Sequence, residues 1–115
     1  MATTNNSTSQ SMGVVNHYVA RLTTDSATAA AHTLTVGFTP RVVRIHNLTD
    51  RISDEWFEGM ADASSLHTVA AGTRTLETSA GITVNDAANA TDGYSVTFPA
   101  GIMVASKVFA VEIIG

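Results

Sequence analysis

The sequence predicts an all-β fold: an antiparallel β-sandwich or small barrel of about eight to ten short strands, preceded by an extended N-terminal arm. The first observation is composition, because 44% of the residues are hydrophobic and only 6% are aromatic, while threonine and serine are abundant. The second is strict alternation of apolar and polar residues in several segments. The third is the presence of glycine, proline, asparagine and aspartate between those segments, where they favour turns.

The chain of 115 residues is predicted to form a single β domain over residues 13–115, after an extended polar arm at residues 1–12. The arm consists almost wholly of serine, threonine, asparagine and glutamine, so it lacks the apolar surface that a core requires. An extended polar segment can instead add a strand to an exposed sheet edge, where backbone hydrogen bonds tolerate many sequences. The arm therefore supplies candidate inter-subunit contacts at Asn5, Asn6, Ser7 and Met12.

Alternation assigns faces to three of the predicted strands. HTLTVGF places Leu34, Val36 and Phe38 on one face, and GYSVTF and KVFAVEII alternate in the same way. Pro40 separates the first of these from the next strand, because proline is confined to strand starts and edges. TDSATAAAH is predicted to be a connection and NDAANATDG a surface loop.

Two stretches have weaker patterns. LHTVAAGTRTLETSAGITV is predicted to contain two short strands around Ala71-Gly72 and a third strand after a turn at Ala80-Gly81. Near the C-terminus, IMVA and KVFAVEII are predicted to form a hairpin that turns at Ala105 and Ser106.

The stretch VGFTPRVVRIHNLTDRISDEWFEGM gathers charges around the only tryptophan of the chain. We predict a β-hairpin with Thr49 and Asp50 as the two central turn residues. This register creates two opposite-charge pairs and two pairs of an aromatic residue with valine: Arg41–Glu58, Arg44–Glu55, Val43–Trp56 and Val42–Phe57. Each such pair stabilises a sheet by roughly 0.2–1 kcal/mol. Asp54 faces Ile45 and has no charged partner in the hairpin, which makes it a further candidate inter-subunit contact.

Composition argues against nucleic-acid and membrane partners. Only 14% of the residues are charged and the net charge is −4, so no basic stripe is available for phosphates. Residues 1–12 lack the basic and apolar segments of a signal peptide, and no apolar run approaches the roughly 18 residues of a membrane span. The low surface charge is typical of a surface that is covered by partners.

We predict no catalytic, cofactor-binding or metal-binding residues, and therefore no enzyme. Asp54 and Glu58 lie on either side of Trp56 on one strand face, an arrangement that a carbohydrate platform or a glycosidase could use. Glu58, however, already has a partner in Arg41.

Other chemical signatures are weak. The four histidines fall in different predicted strands and lack metal-site spacing, although a site shared between copies of a trimer is an alternative: His17, His32, His46 and His67. No nucleophile elbow accompanies the serines, and no glycine-rich phosphate loop is present. The chain has no cysteine, which excludes disulfides and thiolate ligands.

TPRVVRIHNLTDRISDEWFEGM together with LHTVAAGTRTLETSAGITV resembles a group of small structural proteins from tailed bacteriophages. The shared features are a Thr-Pro-Arg entry, an Asn-Leu-Thr-Asp-Arg turn, a Glu-Trp-Phe-Glu-Gly-Met strand, and an Ala-Gly-Thr-Arg-Thr segment before Gly-Ile-Thr-Val. The resemblance covers the stretch from Phe38 to Val84, and more loosely Lys107 to Ile113. It does not extend to the N-terminal arm or to the loop near Asn89.

The resemblance implies a capsid decoration, or cement, protein that binds the major capsid protein and stabilises the mature phage head. Such a protein is expected on the head surface of the virion after assembly in the host cytoplasm. It is expected to act as a homo-oligomer, with a trimer favoured, because symmetric copies add avidity to weak contacts. The alternatives are a head–tail or tail component, such as a ring-forming adaptor or fibre-attachment protein, and a carbohydrate-binding β-sandwich that uses Trp56 and Tyr94.

Overall fold

The computed structural model of the chain describes residues 3–11, 16–85 and 94–115. The described residues form nine β-strands and every strand pairing is antiparallel, so the all-β prediction is confirmed. The strands are β1 (Thr3–Ser11), β2 (His17–Thr24), β3 (His32–Thr35), β4 (Val42–Asn47), β5 (Ile52–Phe57), β6 (Ser64–Thr68), β7 (Arg74–Asn85), β8 (Ser95–Phe98) and β9 (Val108–Ile114).

The nine strands form one curled sheet in the order β1-β2-β9-β4-β5-β6-β7-β8-β3. The C-terminal strand β9 lies between β2 and β4 and pairs with both. β1 includes most of the predicted arm, and its backbone pairs with β2 of the same chain, with a register shift between Asn5 and Ser7. Met12 lies outside the described residues.

Alternate side chains of the strands meet in a single hydrophobic core. The burial of Leu34, Val36 and Phe38 confirms the predicted face of that segment, and β9 alternates between partly and fully buried residues along its length. One prediction near the C-terminus is wrong, because the IMVA segment forms turns and not a strand. The amides of Ile102 and Met103 both donate to the carbonyl of Pro99, at 3.0 Å each, and the turn buries Met103 completely.

The β4–β5 hairpin has the register predicted from the sequence. Six residue pairs link the strands: Val42–Phe57, Val43–Trp56, Arg44–Glu55, Ile45–Asp54, His46–Ser53 and Asn47–Ile52. The predicted two-residue turn is wrong, because four residues, 48–51, connect the strands. The side-chain oxygen of Asn47 accepts hydrogen bonds from the amides of Thr49 and Asp50 at 3.0 and 2.9 Å, and Arg51 adopts a positive φ of 60°. The asparagine therefore stabilises a longer turn in the same register.

The β6–β7 ribbon differs from the prediction at one of its two turns. The turn at Ala71-Gly72 is present, since the Gly72 amide donates to the Val69 carbonyl at 2.8 Å. The turn predicted at Ala80-Gly81 is absent, because β7 is continuous. The pairing instead jumps from Ser65–Glu77 to Ser64–Ile82, which leaves residues 78–81 as a large bulge. Beyond this bulge, β7 pairs with β8 at residues 83–85.

Candidate functional site

A row of charged side chains crosses the outer face of the four strands β2, β9, β4 and β5. Arg44 lies between two carboxylates, with Nε 3.0 Å from Glu55 and a terminal nitrogen 3.1 Å from Glu112. His17 donates from Nε2 to the other oxygen of Glu112 at 3.0 Å. The strand register produces this row, because Glu112 pairs with Arg44 across β9–β4 and Arg44 with Glu55 across β4–β5.

These contacts stabilise the charged forms of Arg44 and Glu112. The hydrogen bonds to Glu55 and then Glu112 raise the pKa of the Arg44 guanidinium. The hydrogen bond from His17, followed by that from Arg44, lowers the pKa of the Glu112 carboxyl. Arg44 also lies over the ring of Phe57, 5.9 Å from its centroid, at the distance of a cation–π contact. The charged side chains of the outer face are therefore paired with one another.

The second predicted ion pair is present and far more exposed. Arg41 Nε lies 3.4 Å from Glu58, and 63% of the arginine side chain is accessible to solvent, against 34% for Arg44. Solvent screens such an exposed pair, which contributes little to stability.

We expect Arg44→Ala to lower the free energy of unfolding by about 1 kcal/mol, against about 0–0.5 kcal/mol for the matched control Arg41→Ala. Removing Arg44 breaks two charged hydrogen bonds and leaves Glu55 and Glu112 facing each other without the intervening cation. Urea denaturation of the two variants at low ionic strength measures the difference. Equal losses would show that the central row is no stronger than an exposed pair.

Trp56 and Asp54 face the interior of the sheet. Trp56 is 6% exposed and belongs to the core with Val43, and its Nε1 atom is buried without a hydrogen-bond partner among the described residues. The carbohydrate-binding alternative used Trp56 as an exposed platform, and this indole is not exposed. The two carboxylates that a glycosidase would use together are also not in one environment, because Asp54 is buried whereas Glu58 is exposed.

Asp54 has partners within its own chain, and they come from outside the hairpin, in which the sequence predicts no charged partner for it. Its Oδ1 atom accepts hydrogen bonds from Ser65 Oγ at 2.9 Å and from His67 Nδ1 at 3.0 Å. The side chain of Asp54 is only 5% accessible, so the reason for placing it at a subunit contact is removed. The two donors come from β6, which pairs with β5.

This cluster contains the residue types of a hydrolytic triad in a different order. In a triad the histidine stands between serine and aspartate and accepts the serine proton. Here Asp54 stands in the centre and both Ser65 and His67 donate to the same oxygen. Ser65 is completely buried. The arrangement satisfies buried polar groups, as folded interiors require.

A cavity of about 110 Å³ adjoins Asp54 and His67. Its walls are mostly apolar, with Ile45, Ile52 and Phe109 among them. Among the described residues, no group of three or more His, Cys, Asp or Glu side chains is placed to hold a metal ion. The same residues contain no helix with the length and apolarity needed to cross a membrane.

The surface has strand edges that lack a strand partner among the residues that the structure describes. β1 and β3 stand at the two ends of the strand order. β3 is only four residues long, which is a common protection for an edge. β1 is nine residues long, TTNNSTSQS, and contains neither a charged residue nor a proline. It therefore lacks charge, proline and short length as protections against pairing with another chain, and the register shift between Asn5 and Ser7 leaves residues 7–11 as its regular part.

A third edge lies within the sheet, on the first half of β7. Residues 74–77 pair with β6, and β8 joins β7 only at residues 83–85. Within the described part of the chain, the side of residues 74–80 that faces away from β6 has no strand partner. The sequence does not reveal this edge, because it depends on the register jump at the bulge.

Neither a family model, nor a curated protein, nor a solved structure matches this chain.

Proposed function

We propose that this chain is a non-enzymatic structural protein of a tailed-phage virion: a decoration protein that binds the major capsid protein, stabilises the mature head and acts as a homo-oligomer, with a trimer favoured. The resemblance of residues 38–84 to small phage structural proteins supports the assignment to a tailed-phage virion. The surface supports an assembly role, because its charges are paired with each other and its long edge β1 contains neither a charged residue nor a proline.

The edge strand β1 is the observation that carries the proposal. Backbone N–H and C=O groups along an unprotected edge recruit an extended segment of another chain. Nine uncharged residues provide a long row of such groups without a charge that would repel a partner. In a monomer, an edge of this kind promotes aggregation. In a virion protein, it can instead pair with a neighbouring chain.

The pairing of the charges on the outer face fits the same role. Arg44 lies between Glu55 and Glu112, and Lys107 Nζ lies 3.1 Å from Asp50. Because these charges are already paired within the chain, the face can be covered by a partner without leaving an isolated charge. A protein that binds only the mature shell stabilises that shell by mass action.

The experiment adds purified protein to capsids assembled without it, and measures the occupancy on the capsid and the temperature at which the capsids burst. We expect the full chain to decorate the capsids and to raise the bursting temperature. Deletion of residues 1–12 is expected to lower the occupancy, because it removes β1. A second variant, Ser7→Lys with Ser9→Lys, keeps the strand and adds charge to the edge, and is expected to lower the occupancy too.

The matched control places the same two charges at Ser26 and Thr28, which are exposed in the connection after β2. This Ser26→Lys, Thr28→Lys variant is expected to decorate like the unaltered chain. Normal decoration by both edge variants would overturn the role of β1. Failure of the unaltered chain to bind capsids would overturn the proposed function itself. Location of the chain in a ring between head and tail would favour the adaptor alternative.

A further inference from the structure

We propose that copies of this chain join head to tail through their sheets, with the β1 edge of one copy pairing with the edge of β7 residues 74–80 in the next copy. The inference deepens the proposed function and rests on its homo-oligomer, for which it names the interface. The partner is a second copy of this chain.

The first support is the exposure of the β7 edge. Every residue from Arg74 to Ala80 is exposed except Glu77, which is partly buried. Both faces of this half-strand are therefore open to solvent, unlike the following residues Gly81 and Ile82, which are buried. The described part of the chain supplies β6 on one side of this segment and no strand on the other.

The second support is Leu76, which is 61% exposed in the middle of the edge. It pairs with the partly buried Leu66 of β6, so the two leucines form a small apolar site at the rim of the sheet. A strand added along β7 would cover Leu76 and remove its apolar surface from water.

The third support is the match between the two edges. The regular part of β1, residues 7–11, has five residues, and the regular part of the free β7 segment, residues 74–77, has four, so each can provide a ladder of similar length. β1 carries no charge, and the β7 segment carries one of each sign at Arg74 and Glu77. Neither contains proline, which would remove a ladder hydrogen bond.

Head-to-tail pairing covers both edges with a single kind of contact. Two copies that paired through β1 alone would leave every β7 edge, with its exposed Leu76, uncovered. A contact between two different surfaces of the same chain repeats from copy to copy and closes into a ring when the rotation permits. Three copies in such a ring would form the trimer that the proposed function favours.

Cross-linking between single-cysteine variants tests the pairing, because the chain has no cysteine of its own. One series carries Ser7→Cys, Ser9→Cys or Ser11→Cys in β1. The other carries Arg74→Cys or Leu76→Cys in β7. We expect oxidation of a mixture from both series to give a covalent species of twice the 12.0 kDa chain mass, in at least one combination, and each variant alone to give none.

Light scattering, which measures the mass of the particle in solution, provides an independent test of the interface. Leu76→Lys is expected to convert the oligomer to the 12.0 kDa monomer, because lysine protects an edge against pairing. The matched control is Leu48→Lys, which is 54% exposed in the β4–β5 turn, away from both edges. This control is expected to keep the oligomer.

A monomer at every concentration, cross-linking of a β1 variant with itself, or no cross-link in any mixture would overturn the inference. Neither experiment uses capsids, so a monomer that still decorated capsids would overturn the interface and the homo-oligomer but leave the decoration role standing. Conversely, a ring that formed in solution but failed to bind capsids would leave the interface standing and overturn the decoration role.

Discussion

Replacing Trp56 by alanine is expected to lower the free energy of unfolding by about 3–5 kcal/mol, because the change removes a large buried side chain and leaves a cavity. The indole is 6% exposed and lies opposite Val43, which is completely buried. Urea denaturation followed by far-ultraviolet circular dichroism measures the loss. The effect is expected to be the largest of any single substitution in the hairpin.

Two comparisons sharpen this result. Trp56→Phe is expected to cost less, about 1–2 kcal/mol, because phenylalanine keeps much of the apolar volume and the indole Nε1 has no hydrogen-bond partner to lose. Trp56 is the only tryptophan, so its fluorescence emission reports its own surroundings, and we expect the emission of a buried indole. A loss below about 1 kcal/mol for the alanine variant, with emission typical of exposed tryptophan, would contradict its place in the core and restore the carbohydrate platform.

Gly81→Ala is expected to destabilise the fold by about 2–3 kcal/mol, as overpacking does in a closely packed interior. A methyl group at this position would overlap the backbone carbon of Ser64 and lie 2.6 Å from the amide nitrogen of Ser65. These are backbone atoms, so they cannot move aside as the end of a side chain can. The contact lies at the bulge where β7 leaves β6 for β8. The added methyl group would therefore disturb the pairing of β7 with β6 at that point.

The matched control is Gly101→Ala. A methyl group there meets nothing within 4 Å, so the change is expected to alter stability by no more than about 0.5 kcal/mol. Thermal unfolding of both variants measures the difference. Equal effects at the two glycines would contradict the close approach of β7 to β6.

The β4–β5 hairpin shows how far the sequence predicts this fold. Its register followed from local pairs of opposite charge and of aromatic residues with valine, and those pairs are close in sequence. The turn was wrong because the hydrogen bonds of the Asn47 side chain favour four connecting residues where two were predicted. The second carboxylate beside Arg44 was missed, because Glu112 reaches it from β9, which is distant in sequence.

The burial of Asp54 follows from the alternation of residues along β5. Alternation places Asp54 on the same strand face as Trp56, so a buried tryptophan implies a buried aspartate. Its partners could not be predicted, because Ser65 and His67 depend on the pairing of β5 with β6.

Gly81 and the IMVA segment were misread for physical reasons. The sequence predicts a turn at Ala80-Gly81 because glycine often supplies one, whereas Gly81 is needed for close backbone approach inside a strand. IMVA is apolar but does not alternate, and it fills the core from a turn through Met103. The strand order, and with it the unpaired edges of β1 and β7, depends on long-range pairing that local patterns do not record.

An image of the virus particle by electron cryomicroscopy, at a resolution sufficient to place this chain, tests the central claim most directly. The decoration account predicts copies of the chain on the outer surface of the head, bound to the major capsid protein at symmetry-related positions. Copies confined to the tail or to the head–tail junction, or a head surface without the chain, would contradict it.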